Sequence, residues 1–188
     1  MKMDIVIIGV GGQGTLLTSR ILGALALEQG QDVKVSEVHG MSQRGGSVIT
    51  YVRMGPQVAS PMVDEGCADY VLAFEPLEAM RALPYLKKDG TVIVNTQKIM
   101  PMPVISGAAV YPQDVLERLA RQCRVVALDA LSLAEEAGSA KAVNLVLLGV
   151  LKKLLGGDEA SWQKAIAACV KEKFLAVNQR AFALGQNH

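Results

Sequence analysis

The first residues with chemical potential are three glycines, Gly9, Gly11 and Gly14, in the stretch IIGVGGQG. Glycine permits positive φ and lets a ligand approach the backbone, and the N-terminus of a following helix offers free N–H groups to an anion. Many proteins hold the pyrophosphate of NAD or FAD with this Gly-x-Gly-x-x-Gly spacing. Glu37 lies 23 positions after Gly14, where a ribose-binding acid of such a site would stand.

Two features weaken the dinucleotide hypothesis. Gln13 lies inside the turn, and we expect its amide to point into space that a pyrophosphate loop leaves to small residues. Glu37 is followed by a long loop and not by another βα unit. Contact with an anion or a protein partner is favoured over a purely structural turn, because three glycines cost stability that needs compensation. A nicotinamide-dependent dehydrogenase built on the glycines and Glu37 stays open as the alternative, although His39 is the one internal histidine and no credible hydride-transfer acid is present.

A second glycine-containing stretch, HGMSQRGGS at residues 39–47, joins two predicted strands at the same edge of the sheet. Its Arg44 offers a planar, two-pronged donor for carboxylate or phosphate, and the two glycines that follow let backbone N–H groups approach the same anion. His39 could orient a group or shuttle a proton. A solvated surface arginine fits the same residues equally well. The predicted cofactor-contacting residues of both stretches are Gly11, Gly12, Gln13, Gly14, His39, Ser42, Gln43, Arg44, Gly45 and Gly46.

The elements that must position these residues follow from hydrophobic patterning and turn signals. The predicted strands are residues 3–9, 32–38, 47–54, 68–74, 90–95 and 124–129. The predicted helices are residues 13–29, 76–87, 113–121, 131–137, 140–155, 159–171 and 174–184, with 100–106 as an extended connector. Because no helix fits between the second and third strands, those two form an antiparallel or irregular pair. The pattern predicts a single domain over residues 1–188, a three-layer α/β/α fold with a mostly parallel, Rossmann-like sheet, some mixed strand pairing and a helical C-terminal extension.

Composition excludes several classes of protein. The 188 residues carry 19 Lys plus Arg against 18 Asp plus Glu, and only 4% of them are aromatic, which argues against a nucleic-acid binder. The longest apolar run, residues 142–151, is far shorter than the roughly 18 residues that span a bilayer and is followed by Lys152 and Lys153. No signal peptide is recognisable at the N-terminus. We therefore expect a cytoplasmic protein without membrane or nucleic-acid contacts.

Cysteine and histidine usage argues against metal centres in this chain. Cys67, Cys123 and Cys169 form no C-x-x-C pair, and they are predicted to be buried free thiols. With two histidines in the whole sequence, a multi-histidine metal site is excluded.

The two glycine-containing stretches together, GVGGQG and EVHGMSQRGGSV, resemble the gamma-type domain of the 2-oxoacid:ferredoxin oxidoreductases. The loop HGMSQRGG is most similar to that of the indolepyruvate branch of this family. Later stretches are also similar to that branch, namely FEPLEAMR, VIVNTQKIMP, KFLAVNQRAFALG and Asn144 with the LLG that follows it. The resemblance spans nearly the whole chain.

The resemblance implies an accessory subunit of a complex enzyme. Such complexes decarboxylate a 2-oxoacid oxidatively on thiamine diphosphate, pass electrons singly through 4Fe-4S clusters to ferredoxin and release an acyl-CoA; for the indolepyruvate branch the substrates are arylpyruvates. This chain lacks a GDG…NN segment and cluster-forming cysteines. Thiamine diphosphate, Mg²⁺ and the clusters are therefore expected on a larger alpha subunit, and the isolated chain is expected to be inactive. The glycine turn and the Arg44 loop would face that partner, with CoA phosphates or the substrate carboxylate as their anion.

Three further features have mainly structural interpretations. Glu75, before Pro76, is well placed to bring negative charge to a helix N-terminus. Asn144, on an apolar helix, is expected to be a satisfied internal hydrogen-bonding residue. The apolar face of residues 142–155 could be buried against another subunit or against this domain, and the sequence leaves both possibilities open.

Overall fold

The backbone is organised around a mixed sheet, seen in a computed structural model that describes residues 2–40 and 45–188. The sheet has six strands in these ranges, in the order β2-β3-β1-β4-β5-β6. The strands are β1 (Met3–Val10), β2 (Asp32–His39), β3 (Ser47–Gly55), β4 (Ala68–Ala73), β5 (Leu86–Asn95) and β6 (Arg124–Leu128).

Strand β3 lies between β1 and β2 and is antiparallel to both, whereas β1, β4, β5 and β6 pair in parallel. The predicted mixed pairing is therefore confirmed. Because β1 and β2 both oppose β3, they run in the same direction, and their carboxyl ends lie at one edge of the sheet together with those of β4, β5 and β6. We call this edge the carboxyl edge.

Alternation along the strands creates two apolar layers. In β1, Ile5 and Ile7 belong to one buried cluster, while Val6 and Ile8 belong to the other, because successive side chains of a strand point to opposite faces. Helices cover both faces, which confirms the three-layer α/β/α fold. The helices are α1 (Thr15–Glu28), α2 (Pro76–Ala82), α3 (Met102–Ile105), α4 (Val115–Ala120), α5 (Ala130–Glu136), α6 (Val143–Leu155), α7 (Glu159–Cys169) and α8 (Glu172–Asn187).

Among the differences from the predicted elements, the end of α2 and the conformation of residues 100–106 both involve proline. Helix α2 ends at Ala82, and a 3₁₀ turn, Leu83–Tyr85, follows it before β5 begins at Leu86. Pro84 lacks the N–H that would continue the α-helical hydrogen-bond pattern, so the α-helix cannot extend through it. Residues 102–105 form the short helix α3 and not an extended connector. Its prolines lie just before the helix and in its first turn, where a missing N–H costs nothing.

Helix α6 is a core helix of this chain. Its residues from Val143 to Leu151 are all buried, chiefly against α8. The two helices cross at a pair of glycines: a Cβ added at Gly149 would overlap the carbonyl oxygen of Phe182, and one added at Gly185 would overlap that of Val146. Internal packing thus accounts for the apolar face of residues 142–155.

The cysteines have mixed environments. Cys67 is exposed, so the prediction of three buried thiols was wrong for this residue. Cys123 and Cys169 are half-buried, and burial raises the pKa of both thiols. Across residues 2–40 and 45–188, no helix is both long enough and apolar enough to cross a membrane.

The buried Tyr51, hydrogen-bonded to the half-buried Tyr85, predicts a loss of stability at alkaline pH. The Tyr51 hydroxyl lies 3.0 Å from that of Tyr85, and burial, with this hydrogen bond, raises the pKa of Tyr51 to about 12. The unfolded tyrosine ionises near pH 10, so this contribution is complete below pH 10 and is lost as the pH rises to about 12. We expect the free energy of unfolding to fall by about 1–3 kcal/mol from this residue across that window.

Urea titrations at several pH values measure this effect. Tyr51→Phe should make the fall between pH 10 and 12 shallower, with Tyr70→Phe as the matched control. An unchanged slope in Tyr51→Phe would contradict the assignment.

Candidate functional site

The glycine turn and the β2–β3 connection meet at the carboxyl edge. Val10 pairs with Ser47 across β1 and β3, and the Gly11 N–H donates to the Gly46 carbonyl oxygen at 2.9 Å. Gly12 and Gly14 have φ of 103° and 94°, which side-chain-bearing residues rarely adopt. Glycine is therefore needed at both positions for conformational reasons, whatever the turn contacts.

A first cleft of about 350 Å³ opens between the glycine turn and β2. Four predicted site residues, Gly11, Gly12, Gly14 and His39, line this cleft. The other lining residues are Thr15, Leu16, Glu37 and Val48. His39 is exposed, and its Nδ1 lies 3.0 Å from the Gly40 carbonyl oxygen, to which it can donate.

The remaining predicted site residues divide into two groups. Gly45 and Gly46 adjoin the glycine turn through the Gly11 hydrogen bond, and Gly45 has a φ of 76°. Ser42, Gln43 and Arg44 lie outside the described residues. That the assembled residues bind an anion stays a prediction.

Both polar atoms of the Gln13 amide are held by the backbone. Its Oε1 accepts from the Val10 N–H at 2.7 Å, and its Nε2 donates to the Phe74 carbonyl oxygen at 3.2 Å. The amide thus joins the carboxyl ends of β1 and β4. The helices that follow these two strands lie on opposite faces of the sheet, and ligands of α/β sheets bind at such a point. A Cβ at Gly9 would lie 2.9 Å from Gln13 Oε1, so Gly9 makes room for this side chain. The amide therefore occupies space at the carboxyl ends of β1 and β4, in agreement with the predicted orientation of Gln13.

Replacing Gln13 should destabilise the turn. In Gln13→Ala, the Val10 N–H loses its partner and the Phe74 carbonyl keeps only the Asn95 Nδ2 contact at 3.4 Å. We expect the free energy of unfolding to fall by about 1–2 kcal/mol, because a part-buried donor is left unpaired. Urea denaturation measures the change; Gln122→Ala, on an exposed residue after α4, is the control. A loss no greater than that of the control would contradict the bridging role.

The strand order weakens the dinucleotide alternative. In a dinucleotide-binding unit, the strand with the ribose-binding acid lies directly beside the first strand. Here β3 intervenes, so β2 and Glu37 lie two strand spacings, about 9–10 Å, from β1. Glu37 instead accepts from Thr50 Oγ1 on β3 at 3.2 Å.

A second cleft of about 540 Å³ lies on the other side of the glycine turn, toward β5 and α6. Its lining residues are Gly12, Gln13, Gly14, Gln97, Ile99, Leu131, Ala140, Lys141 and Val143. Lys141 brings a positive charge to this cleft, whereas Glu37 brings a negative one to the first. We had not predicted Lys141 as a site residue, because a lone lysine in a helical stretch carries no distinguishing pattern.

Asn144 lies directly beneath Gly14. It is buried, and a Cβ at Gly14 would come within 3.4 Å of its Nδ2. Its Oδ1 has no hydrogen-bond partner among residues 2–40 and 45–188. The prediction that Asn144 is internally satisfied was therefore wrong. Its isolation among apolar residues in the sequence was the available signal.

Glu75 has the structural role that we predicted. Its Oε2 accepts from the Glu78 N–H at 3.0 Å and caps α2. Its Oε1 accepts from the Tyr111 hydroxyl and from the Ile99 N–H, the latter at 3.4 Å. Burial, and then the Glu75 carboxylate, raise the pKa of Tyr111.

Cysteine and histidine, the usual sulfur and nitrogen ligands of metals, are scarce in this chain, with three and two residues. Within the described ranges, no group of three or more His, Cys, Asp or Glu side chains is placed to hold a metal ion. The sequence has three cysteines, one fewer than a four-cysteine iron–sulfur cluster requires. The residues present therefore do not fit the clusters that the family resemblance implies for the complex.

Comparison with known proteins decides the family. Residues 4–187 match the model of the pyruvate ferredoxin/flavodoxin oxidoreductase family. The chain belongs to this family. The predicted resemblance is thus confirmed over almost the entire length of the chain.

Several curated members of the family are similar to this chain over three quarters or more of their length. Indolepyruvate oxidoreductase subunit IorB of Thermococcus kodakarensis is 46% identical, covering 98% of this chain and 94% of the relative. The protein of the same name from Archaeoglobus fulgidus is 41% identical, covering 100% of this chain and 95% of the relative. The pyruvate/ketoisovalerate oxidoreductases common subunit gamma of Pyrococcus abyssi is 30% identical, covering 79% of this chain and 75% of the relative.

Solved structures support the fold assignment. The gamma subunit of a keto/oxoacid ferredoxin oxidoreductase from Geobacter sulfurreducens aligns with a TM-score of 0.74 at 23% identity, covering 98% of this chain and 96% of that one. A second aligned structure is a 2-oxoglutarate:ferredoxin oxidoreductase from Magnetococcus marinus, solved with 2-oxoglutarate, coenzyme A and succinyl-CoA bound. It aligns with a TM-score of 0.68 at 18% identity, covering 99% of this chain and 30% of that one. In that protein the same fold forms part of a much longer polypeptide.

Proposed function

We propose that this chain is the accessory subunit of an arylpyruvate (indolepyruvate):ferredoxin oxidoreductase. The complex would decarboxylate a 2-oxoacid oxidatively to an acyl-CoA, with ferredoxin as the electron acceptor. The observation that carries the proposal is the 41–46% identity, along the full length of both proteins, to three relatives named as indolepyruvate oxidoreductase subunit IorB. The matches to pyruvate/ketoisovalerate gamma subunits support the 2-oxoacid class. Because these matches are shorter and weaker, they favour the pyruvate/ketoisovalerate branch less than the indolepyruvate branch.

The proposal assigns the cofactors to a partner. Thiamine diphosphate and Mg²⁺ would supply the decarboxylation, and 4Fe-4S clusters the electron transfer, on a larger alpha subunit. The three cysteines of the present chain, too few for a four-cysteine cluster, support this division. The whole chain would act as one gamma-type domain of a cytoplasmic hetero-oligomer, with CoA as co-substrate.

The contribution of this chain would be an anion contact at the carboxyl edge. Helix α1 begins after Gly14 with no side-chain cap and no acidic residue in its first turn. Its N-terminus therefore offers partial positive charge and free N–H groups to a ligand. Lys141 adds charge on one side and, by sequence, Arg44 would do so on the other. CoA phosphates or the substrate carboxylate, held partly by the alpha subunit, have the charge that these groups recognise.

Co-expression with the candidate alpha subunit tests the assembly. The gene for a thiamine diphosphate-binding, iron–sulfur protein from the same organism is expressed with and without this chain. We expect a stable complex that contains thiamine diphosphate and iron, and arylpyruvate-dependent reduction of ferredoxin. Absence of any complex between the two purified proteins would refute the proposal.

The dehydrogenase alternative makes an opposite prediction about cofactor binding. Because Gln13 fills the space between the carboxyl ends of β1 and β4, and because Glu37 lies on β2 and not on the strand beside β1, we expect no binding of NAD(P)(H) or FAD at micromolar concentrations. Equilibrium dialysis of the isolated chain measures it. Micromolar affinity for any of these dinucleotides, lost in Glu37→Ala, would favour the dehydrogenase.

A scaffold without a site is the third possibility. Arg44→Ala should then leave turnover of the assembled complex unchanged, whereas an anion contact at this loop predicts a decrease of about 10-fold or more. Arg121→Ala is the matched control, because Arg121 is exposed at the end of α4, away from the carboxyl edge.

A further inference from the structure

Residues 99–111, with the sequence IMPMPVISGAAVY, form an excursion between β5 and α4 that contains no charged residue. Charged residues make up 20% of the whole sequence, so 13 uncharged residues in succession are unusual for a segment that lies at the surface. We call this segment the 99–111 loop. It emerges after the carboxyl end of β5 and includes the short helix α3.

The loop exposes apolar side chains instead of burying them. Met102 is 67% exposed, Ile105 is 65% exposed and Val110 is 87% exposed. Met100 is also exposed. Apolar side chains clustered on one segment mark an interaction surface, whereas scattered ones do not, and methionine adapts readily to a facing surface.

Both ends of the loop are fixed to a single buried carboxylate. Glu75 Oε1 accepts from the Ile99 N–H at the start and from the Tyr111 hydroxyl at the end. Within the loop, the Ser106 N–H donates to the Met102 carbonyl oxygen at 2.9 Å. The apolar side chains are thus presented on a segment with defined ends, which lowers the entropic cost of docking.

The base of the loop belongs to the second cleft. Ile99 lines that cleft together with Gly12 and Gly14, so a protein that covers the loop also reaches the cleft. The loop is expected to pair with an uncharged, apolar surface of its partner, because a charge on the partner would be buried against the loop without an opposite charge. Two copies of this chain docked through their loops would bring two carboxyl edges together without the redox cofactors that the site requires.

We propose that the 99–111 loop docks onto an uncharged apolar surface of the larger, cofactor-bearing alpha subunit beside the second cleft. This inference rests on the proposed function, which supplies the partner. It assigns the loop, and not the buried helix α6, as an apolar contact between the subunits. Glu75 acts as a positioning residue for this surface.

The test compares two variants of the full-length chain in which exposed apolar residues are replaced by glutamate. Met102→Glu with Ile105→Glu places two carboxylates on the loop. Leu27→Glu is the control, since Leu27 is also 67% exposed but lies near the end of α1, at the opposite edge of the sheet. Association with the purified alpha subunit is measured by analytical ultracentrifugation, and thermal melting of each isolated variant reports on folding.

We expect the double variant to melt like the unaltered chain and to bind the alpha subunit at least about 100-fold more weakly, with Leu27→Glu within about 3-fold of the unaltered chain. If the unaltered chain binds the alpha subunit and the double variant binds equally well, the loop proposal is wrong and the proposed function stands. Loss of self-association in the double variant, with alpha-subunit binding intact, would identify a second copy as the occupant and also overturn the proposal. If the unaltered chain does not bind the alpha subunit, both proposals fail.

Discussion

Gly185→Ala is expected to lower the free energy of unfolding by about 3 kcal/mol or more. The added methyl group would overlap the carbonyl oxygen of Val146, which belongs to the backbone of α6 and cannot rotate away. Relief requires α8 to move off α6, the pair of helices that makes the most extensive contact in the described structure. Urea denaturation followed by circular dichroism measures the loss.

Gly23→Ala is the matched control for this substitution. Gly23 lies within α1, and a Cβ there meets no heavy atom within 4 Å. Alanine should stabilise that helix by about 0.5–1 kcal/mol, because glycine loses more backbone entropy on folding. A Gly185→Ala chain as stable as the unaltered one would show that α6 and α8 do not cross at these glycines.

Glu75→Ala is expected to lower the free energy of unfolding by about 3–5 kcal/mol. The substitution leaves three donors without their acceptor: the N–H groups of Glu78 and Ile99 and the hydroxyl of Tyr111. The site is almost fully buried, so water cannot readily replace the carboxylate. Urea denaturation gives the stability, and limited proteolysis of the 99–111 loop reports whether its ends are released.

Tyr111→Phe separates the carboxylate from one of its partners. It removes the hydroxyl but keeps the ring, so we expect a smaller loss, about 1 kcal/mol, with faster proteolysis at the C-terminal end of the loop only. Equal losses in Glu75→Ala and Tyr111→Phe would mean that Glu75 does not fix both ends.

Most of the fold could be predicted from local patterning. Continuous apolar runs ending in glycine or proline identify β1 and β4, and the short spacing between β2 and β3 excludes a crossover helix. The shared carboxyl edge of the two glycine-containing stretches follows from the same reasoning. Patterning does not determine that β3 inserts between β1 and β2, because pairing partners depend on contacts across the whole sheet.

The details of the candidate site were less predictable. The sequence cannot indicate that Gln13 folds back onto Val10 and Phe74, because Phe74 is distant in sequence and meets Gln13 only once β1 and β4 pair. The unpaired Oδ1 of Asn144 likewise depends on α6 lying beneath Gly14. Proline-rich composition suggested an extended segment at 100–106, but the position of each proline relative to a helix start decides its effect.

Reconstitution of arylpyruvate oxidation from separately purified chains tests the central claim most directly. Ferredoxin reduction with indolepyruvate and CoA is measured for the alpha subunit alone, this chain alone and the two combined. The account predicts turnover only in the combination, with all thiamine diphosphate and iron recovered in the alpha subunit. Full activity of the alpha subunit alone, or oxidation of a substrate by this chain with a nicotinamide cofactor, would contradict it.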